Sequence, residues 1–402
     1  MLRSSRIVKV LSTALLVLLI AAPAWAQLPE KFVVRPEGMP TGATPWSPAV
    51  LVGSTLYLAG HGGVGPGSPR PAAFEEEARL AFGALGRTLA AAGMDAGNVV
   101  SLYVYLSAIG DVAAFEKVLR DQYPSNLPAR SIVGVGRLPG GARVQLQAIA
   151  VQDAVPRIYH GAPATSAVAV NGIVYLSGVA PGVQAANTRL AIKGALAGLG
   201  SVLRSAGLDY RHVVFCNPYL APAVPRADLD VVYRQFFEFG NTPARATLDM
   251  NALPGGAPIA LSAVAVADLE RRRVVRPISR ELSPTASPAV FAGDALYLSG
   301  FSGFMPGYGT LSEDFDLQLR FALRNVQDCL ESAGLAFDNI VSLNCYLGNL
   351  DDSERMLRLF REYFPKNPPA LTILQQSPTG PNNRPAVQFS GIAVRSVTAA
   401  AQ

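Results

Sequence analysis

The sequence predicts an α+β protein built from three copies of one domain. The chain of 402 residues is 50% hydrophobic and 16% charged, which provides apolar material for several cores. One order of strand and helix patterns occurs three times, at intervals of 118 and 122 residues between Tyr57, Tyr175 and Tyr297. Repeats of that length are whole domains, because the repeats of solenoid proteins are about 20–45 residues long.

The first 26 residues have the pattern of a secretory signal peptide. A basic start with Arg3, Arg6 and Lys9 precedes an apolar stretch over 10–22, and the small-x-small pattern of a cleavage site follows at residues 24–26. The apolar stretch is shorter than the ~20 residues of a membrane-spanning helix. We therefore expect a secreted, periplasmic protein cleaved after Ala26, without a membrane anchor; an uncleaved N-terminal anchor is the alternative.

The charge of the remaining chain argues against a nucleic-acid partner. Removing the three basic residues of the signal peptide lowers the formal net charge from +5 to +2. The dense basic run, Arg271–Arg273 with Arg276 and Arg280, contains no aromatic residues. We interpret it as a solvated linker between two domains rather than as a nucleic-acid patch.

Cysteine and histidine are too scarce for a metal centre or a disulfide framework. The chain has three residues of each type, and Cys216, Cys329 and Cys345 belong to no CxxC motif. We expect buried free thiols, no metal and no cofactor.

Each copy has the same series of elements. A strand pair ends in Ala59-Gly60, Ser177-Gly178 or Ser299-Gly300 and is followed by a helix that ends in Ala-Gly. In the first copy the apolar residues of this helix, over 74–92, recur at three-and-four spacing up to Gly93, and a second helix follows at 111–123. Further strands are predicted at 99–106, 143–150, 213–220, 258–265, 340–347 and 386–393. The domains are placed at 40–153, 161–268 and 283–397.

The strand pattern also predicts how the three domains associate. Helices cover one face of each sheet, but the other face still carries apolar residues such as Val50, Val52 and Leu56. Three such faces in one chain can cover one another. We therefore expect a monomeric pseudo-trimer with central sheets and outer helices, and no further assembly.

The segment Pro128-Ala129-Arg130-Ser131, followed by Leu138-Pro139 and by a strand that ends in Gln147-Ala148-Ile149-Ala150, resembles the RidA family. This family (YjgF-like, reactive intermediate or imine deaminases, formerly endoribonuclease L-PSP) consists of single-domain homotrimers with a chorismate-mutase-like fold and ligand clefts between subunits. The resemblance covers nearly the whole chain after the signal peptide, three times over. It implies a covalent pseudo-trimer that releases ammonia from enamines or imines such as 2-iminobutanoate and 2-iminopropanoate.

The resemblance also implies which residues bind the substrate. The family's motif arginine binds the carboxylate of an imino acid, which suits the planar guanidinium fork. Arg130 and Arg245 match this arginine, whereas Leu371 replaces it in the third copy. Further substrate-binding candidates are Ser131 in the motif, Trp46 at the family's aromatic position and Gly60 at the end of the second strand.

The catalytic position of the family is altered in all three copies. Its members carry a glutamate fifteen residues after the arginine, which holds the attacking water. The corresponding residues here are Gln145, Ala260 and Gln388, and neither glutamine nor alanine can take a proton from water. We expect Gln145 to orient the water in the first copy. His61 is the candidate substitute base there, and a loop histidine without a catalytic role is the alternative. Catalysis would then be confined to this copy, where Arg130, Trp46, Gln145 and His61 are expected to coincide.

Four functional hypotheses remain open from the sequence. The first is an imine deaminase with degenerate sites. The second is an exported, non-catalytic binding module for a small carboxylate metabolite. An endoribonuclease fits poorly with the near-neutral charge and the lack of a basic, aromatic groove. In the fourth, the two arginines only form structural ion pairs.

Overall fold

The computed structural model describes residues 28–39, 42, 44–65, 69–153, 155–160, 165–181, 185–278, 281, 283–305, 309–377 and 385–398. The predicted signal peptide and Arg280 lie outside this range. No helix in the described ranges has the length and apolar character needed to cross a membrane.

Three units of the same architecture follow one another. Unit 1 contains β1 (Glu30–Val34), β2 (Ala49–Val52), β3 (Thr55–Leu58), β4 (His61–Gly62), α1 (Phe74–Ala91), β5 (Val99–Leu106), α2 (Val112–Gln122), β6 (Ala129–Gly134) and β7 (Val144–Val151). Unit 2 contains β8 (Arg157–His160), β9 (Thr165–Val170), β10 (Ile173–Val179), α3 (Thr188–Ser205), β11 (Val213–Leu220), α4 (Arg226–Tyr233), β12 (Ala244–Arg245), β13 (Leu248–Asp249) and β14 (Ile259–Val266). Unit 3 contains β15 (Arg272–Val275), β16 (Ala289–Ala292), β17 (Ala295–Ser302), α5 (Phe315–Ser332), β18 (Ile340–Leu347), α6 (Ser353–Tyr363), β19 (Ala370–Gln375), β20 (Val387–Val394) and β21 (Val397–Thr398).

Each unit has one mixed sheet of the same strand order. The order is β21-β1-β2-β3-β7-β5-β6 in unit 1, β12-β11-β14-β10-β9-β8 in unit 2 and β15-β16-β17-β20-β18-β19 in unit 3. The strand with the motif arginine pairs in parallel with its neighbour and forms one edge of the sheet in units 1 and 2. The motif arginines therefore lie at sheet edges, where another unit can approach them.

The two faces of each sheet are covered in different ways. In unit 1 the helix α1 packs its buried side, with Ala78, Ala81, Leu85 and Leu89, against the sheet, and Gly93 at φ 69° follows its end. The opposite sheet faces of all three units meet in one central core, which includes the residues Val50, Tyr57, Val168, Tyr175, Val290 and Tyr297. The predicted pseudo-trimer with central sheets and outer helices is confirmed. Leu56, however, was placed on the wrong face: it packs in the helix-covered core of unit 1, because side chains alternate along the strand and its neighbour Tyr57 faces the centre.

Part of the basic run predicted to be a solvated linker is a strand that ties unit 3 to unit 2, although Arg271, Arg273 and Arg276 are exposed as expected for a solvated segment. Arg272 begins β15 and donates hydrogen bonds to the carbonyl oxygens of Val213 at 3.0 Å and of Asn241 at 2.9 Å. Burial lowers the pKa of its guanidinium to about 10. Arg273 lies 4.3 Å from the ring centre of Phe291. The sequence hid this strand because Arg272, which reads as part of a solvated basic run, binds carbonyl oxygens of the neighbouring unit.

Two further strands, β1 and β8, also precede the predicted domain starts at 40 and 161. Each is the first strand of its unit and pairs antiparallel with the next. The predicted cysteine environment agrees with the structure, in which Cys216, Cys329 and Cys345 are buried free thiols.

The units are joined into a ring by contacts between their sheets. Ala244 of unit 2 forms a bridge with Ser287 of unit 3, and Ser47 of unit 1 forms the equivalent bridge with Ala370 of unit 3. The short strand β21 at the end of unit 3 pairs in parallel with β1 of unit 1. Unit 1, at the start of the described chain, is therefore joined directly to unit 3.

We expect the protein to be a monomer in solution, because the apolar sheet faces that single-domain relatives would use for trimerisation are already covered within one chain. Light scattering of the purified protein at two concentrations should give the mass of one chain. A stable species with the mass of three chains would contradict this expectation.

Candidate functional site

The cleft between units 1 and 2 contains Arg130. Its backbone N–H donates a hydrogen bond to Ser177 Oγ of unit 2 at 3.1 Å. The cleft opens into a cavity of about 770 Å³, whose lining includes Arg130, Ser131, Gly178 and Ala260. A volume of this size is within the ~300–1,000 Å³ range of small-molecule sites. Arg130 of unit 1 thus faces the acid-equivalent position of unit 2, which is Ala260.

The cleft between units 2 and 3 has the same construction around Arg245. Its backbone N–H donates to Ser299 Oγ of unit 3 at 2.8 Å. A Cβ added to Gly300 would collide with the side chain of Gln388 and would contact Ala246. Gln388 of unit 3 therefore faces the motif strand of unit 2, in the place that Ala260 has in the first cleft.

In the third cleft, between units 3 and 1, Leu371 occupies the position of the motif arginine. Leu371 is only 3% exposed, and Trp46 of unit 1 packs against the core of unit 3 to which Leu371 belongs. On the unit 1 side, a Cβ added to Gly60 would lie 2.6 Å from Cδ of Gln145. Gly60, Gln145 and Trp46 consequently belong to the cleft of Leu371.

The structure therefore separates residues that the sequence suggested would coincide. Gln145 on β7 and Arg130 on β6 are on opposite sides of β5. Arg130 pairs with Leu102 and Gln145 with Tyr105, so two strand spacings and an offset of three residues put their backbones about 14 Å apart. Each cleft combines the motif position of one unit (Arg130, Arg245 or Leu371) with the glycine and the acid-equivalent position of the next. Counting along one unit cannot reveal this exchange, so the set of Arg130, Trp46, Gln145 and His61 does not form one site.

His61 lies under α1 and does not line the cavity of Arg130. Its Nδ1–H donates to the carbonyl oxygen of Ala59 at 2.8 Å, and Nε2 accepts from Thr88 Oγ1 at 2.9 Å. Burial lowers the pKa of His61 to about 4. Nε2 thus links the ring to α1 and Nδ1 links it to the chain just before β4, so both ring nitrogens are occupied, which differs from the role of a base in the cleft.

Each motif arginine also has an acidic partner from a helix of its own unit. Glu116 on α2 contacts Nε of Arg130 at 3.3 Å and Nη2 at 3.2 Å. Asp230 on α4 lies 2.8 Å from Nη1 of Arg245, whose guanidinium is 5.1 Å from the ring centre of Tyr233. Neither acid was predicted from the sequence, although Glu116 stands 14 residues before Arg130 and Asp230 stands 15 residues before Arg245. The hypothesis that the arginines form ion pairs agrees with these contacts.

The lowered pKa of His61 predicts a loss of stability in acid. Between pH 6.5 and about 4 the unfolded chain takes up a proton on this histidine that the folded chain excludes, so the free energy of unfolding falls as the pH falls. Replacing His61 with Gln should remove about 1–2 kcal/mol of the difference in unfolding free energy between pH 7 and pH 5.

Chemical denaturation at the two pH values measures this effect. His160→Gln, which changes an exposed histidine, is the matched control and should behave like the parent protein. An unchanged pH dependence in His61→Gln would contradict the assignment.

The three clefts should differ in their affinity for carboxylates, because a carboxylate next to Leu371 would lose its water without gaining a cation. Titration calorimetry with pyruvate or 2-oxobutanoate should detect at most two sites per chain. Arg130→Ala and Arg245→Ala should each remove one site. The control Arg137→Ala, whose side chain is 54% exposed, should retain both. A third equal site that persists in the double variant would contradict the assignment.

Comparison with known proteins agrees with the threefold repeat. The family model described as Endoribonuclease L-PSP matches residues 37–152, 157–267 and 281–382. A chorismatase of known structure covers 74% of this chain and 93% of its own, with 13% identity and a TM-score of 0.51. At that identity the likeness is one of fold.

Relatives with assigned activities match one unit at a time. The 2-iminobutanoate/2-iminopropanoate deaminase of Capra hircus is 42% identical over 122 residues, which are 30% of this chain and 89% of the relative. The putative reactive intermediate deaminase TdcF of Escherichia coli K12 is 28% identical over 128 residues, 31% of this chain and 99% of the relative. With three matches that together span most of its length, the chain belongs to the endoribonuclease L-PSP family, the family of the RidA-type imine deaminases.

Proposed function

We propose that this protein hydrolyses 2-imino acids to 2-keto acids and ammonia, and that it does so in the clefts of Arg130 and Arg245. The observation that carries the proposal is the position of Arg130, which lines a cavity of about 770 Å³ at the boundary of two units. The similarity to deaminases of 2-iminobutanoate and 2-iminopropanoate supports the substrate class.

The geometry suits the binding of a small imino acid. A guanidinium can hold the substrate carboxylate through two parallel hydrogen bonds. The backbone of each arginine is fixed by a serine of the next unit, Ser177 or Ser299, so the arginine and the opposite wall keep a constant separation. An imine carbon held in this way is accessible to water from the wall that carries Ala260 or Gln388.

We expect turnover to be slower than in relatives that carry glutamate at this wall. A positioned acid–base group contributes about 10²–10⁴-fold in rate. Gln388 can orient a water but cannot take its proton, and Ala260 can do neither. For this reason the exported binding module for a small carboxylate stands as the second candidate function. Both candidates place the protein in the periplasm, on the basis of the N-terminal signal pattern.

The basic test is ammonia release from imines generated in situ by an amino-acid oxidase, with semicarbazide competition as a second readout. Turnover that is lost in the Arg130→Ala, Arg245→Ala double variant would support the deaminase. Binding of 2-keto acids without any turnover would favour the binding module.

Gln388 lies in the cleft of Arg245 and Gln145 in the cleft of Leu371, so we expect Gln388 rather than Gln145 to limit the rate of deamination. Gln388→Glu should raise ammonia release several-fold, because it puts a proton acceptor opposite Arg245. Gln145→Glu makes the same chemical change in the cleft of Leu371 and is the matched control, with no expected increase. A gain in Gln145→Glu but not in Gln388→Glu would contradict the pairing of clefts described above.

A further inference from the structure

The clefts of Arg130 and Arg245 each contain a carboxylate at a position outside the family's acid-equivalent strand. Glu116 lines the same cavity as Arg130, and its side chain is 20% exposed. It contacts the Nε and Nη2 side of the guanidinium. Nη1 and the second hydrogen of Nη2 can therefore take a ligand's carboxylate while Glu116 keeps its own contact. Arg120 lies farther from Glu116, at 3.9 Å, and is 66% exposed.

The third unit shows that the acid and the arginine are lost together. Helix α2 begins at Val112 and α6 begins at Ser353, directly after Asp111 and Asp352. This alignment makes Leu357 the counterpart of Glu116, just as Leu371 is the counterpart of Arg130.

Asp230 and Arg245 retain the charged pair in unit 2. The two positions therefore occur as acid with arginine, or as leucine with leucine.

Packing alone does not require the charged pairs. In unit 3, Leu371 is buried and Leu357 packs against the same core. Replacing a partly buried ion pair by apolar residues of similar size is often neutral or stabilising. Units 1 and 2 keep an ion pair at positions that two leucines could fill, as they do in unit 3. The clefts with the ion pair are also the clefts that can bind a carboxylate. This points to a ligand that needs both charges.

We propose that Glu116 and Asp230 are catalytic acid–base residues and that their clefts recognise a zwitterion, the 2-iminium carboxylate. The arginine binds the carboxylate, and the acid binds the positively charged nitrogen. This inference rests on the proposed function, since it assigns the proton carrier of that reaction. It also explains how deamination can proceed without an acid at Ala260 or Gln388.

The proton balance of the reaction is complete with one carboxylate. Water adds to the iminium carbon while Glu116 takes one of its protons, which gives a neutral carbinolamine and a protonated Glu116. Glu116 then delivers this proton to the nitrogen, the C–N bond breaks and ammonia leaves. The remaining hydroxyl proton passes to ammonia through Glu116, so that 2-keto acid and ammonium are the products.

The experiment compares Glu116→Gln, Asp230→Asn as a double variant with the control Asp121→Asn, which removes an exposed carboxylate from the same helix α2. The double variant should lose about 10²–10⁴-fold in kcat and should still bind 2-oxobutanoate, which has no nitrogen. The control should keep the rate of the parent protein.

The binding measurement separates catalysis from a structural role. If the acids only position the arginines, the double variant loses affinity for 2-oxobutanoate together with its rate, and the inference is overturned. A double variant that keeps the parent rate also overturns it, while the proposed function survives.

A second pair of ligands keeps the inference testable if the parent protein has no turnover. Calorimetry with 2-aminobutanoate, a stable zwitterion, should then show binding to the parent protein and to Asp121→Asn but not to the double variant. In that case the deaminase proposal fails and zwitterion recognition stands. Equal binding of 2-aminobutanoate to all three proteins would overturn the recognition as well.

Discussion

The requirement that each sheet cover its second apolar face determines the rest of the structure. Helices shield one face of each sheet, and the opposite face carries residues such as Val50, Val168 and Val290, which are at most 2% exposed in the central core. Burial of apolar surface contributes about 25 cal/mol per Å². Closure of the three sheets on one another therefore stabilises all three units at once. It also creates the clefts, because each motif strand lies at a sheet edge next to another unit.

Because the three units share one chain, their clefts can differ from one another. A homotrimer made from one sequence repeats every substitution three times. Here the acid-equivalent position and the motif position both differ between the clefts. The first cleft pairs Ala260 with Arg130, the second pairs Gln388 with Arg245, and the third pairs Gln145 with the uncharged Leu371. One cleft can lose its charge and become part of the hydrophobic core while the others keep a polar site. The third cleft, which has leucine in place of the arginine, adds packing between units 3 and 1 through Trp46 and Leu371.

Much of this arrangement could be predicted from the sequence, because it depends on local patterns. Alternating strands, an amphipathic helix ending at Gly93 and the threefold repeat were sufficient for the α+β units and their association. The chorismate-mutase-like fold and the choice of Arg130 and Arg245 as binding candidates came from the resemblance carried by the arginine motif. The composition of each cleft could not be predicted, since it depends on which unit lies beside which strand edge. His61 was misjudged because its chain position, directly after Gly60, does not reveal that the ring turns toward Thr88 under α1. The strand at Arg272 was hidden because the guanidinium of this residue contacts carbonyl oxygens in another unit.

The pairing of β21 with β1 has a consequence for the order of folding. Glu30 pairs with Val397, so the edge of the first sheet is completed by nearly the last described residues of the chain. Units 1 and 2 can form their own cores as soon as each is available, because their strands and helices are close in sequence. The ring can close only when the third unit is in place, because β21 belongs to that unit. The contact between Glu30 and Val397 also requires closing a very long loop, which costs chain entropy. Until then the edge strand β1 has unpaired backbone groups, which can pair with other chains. Pairing with β21 thus covers this edge and removes the aggregation hazard once the third unit has folded.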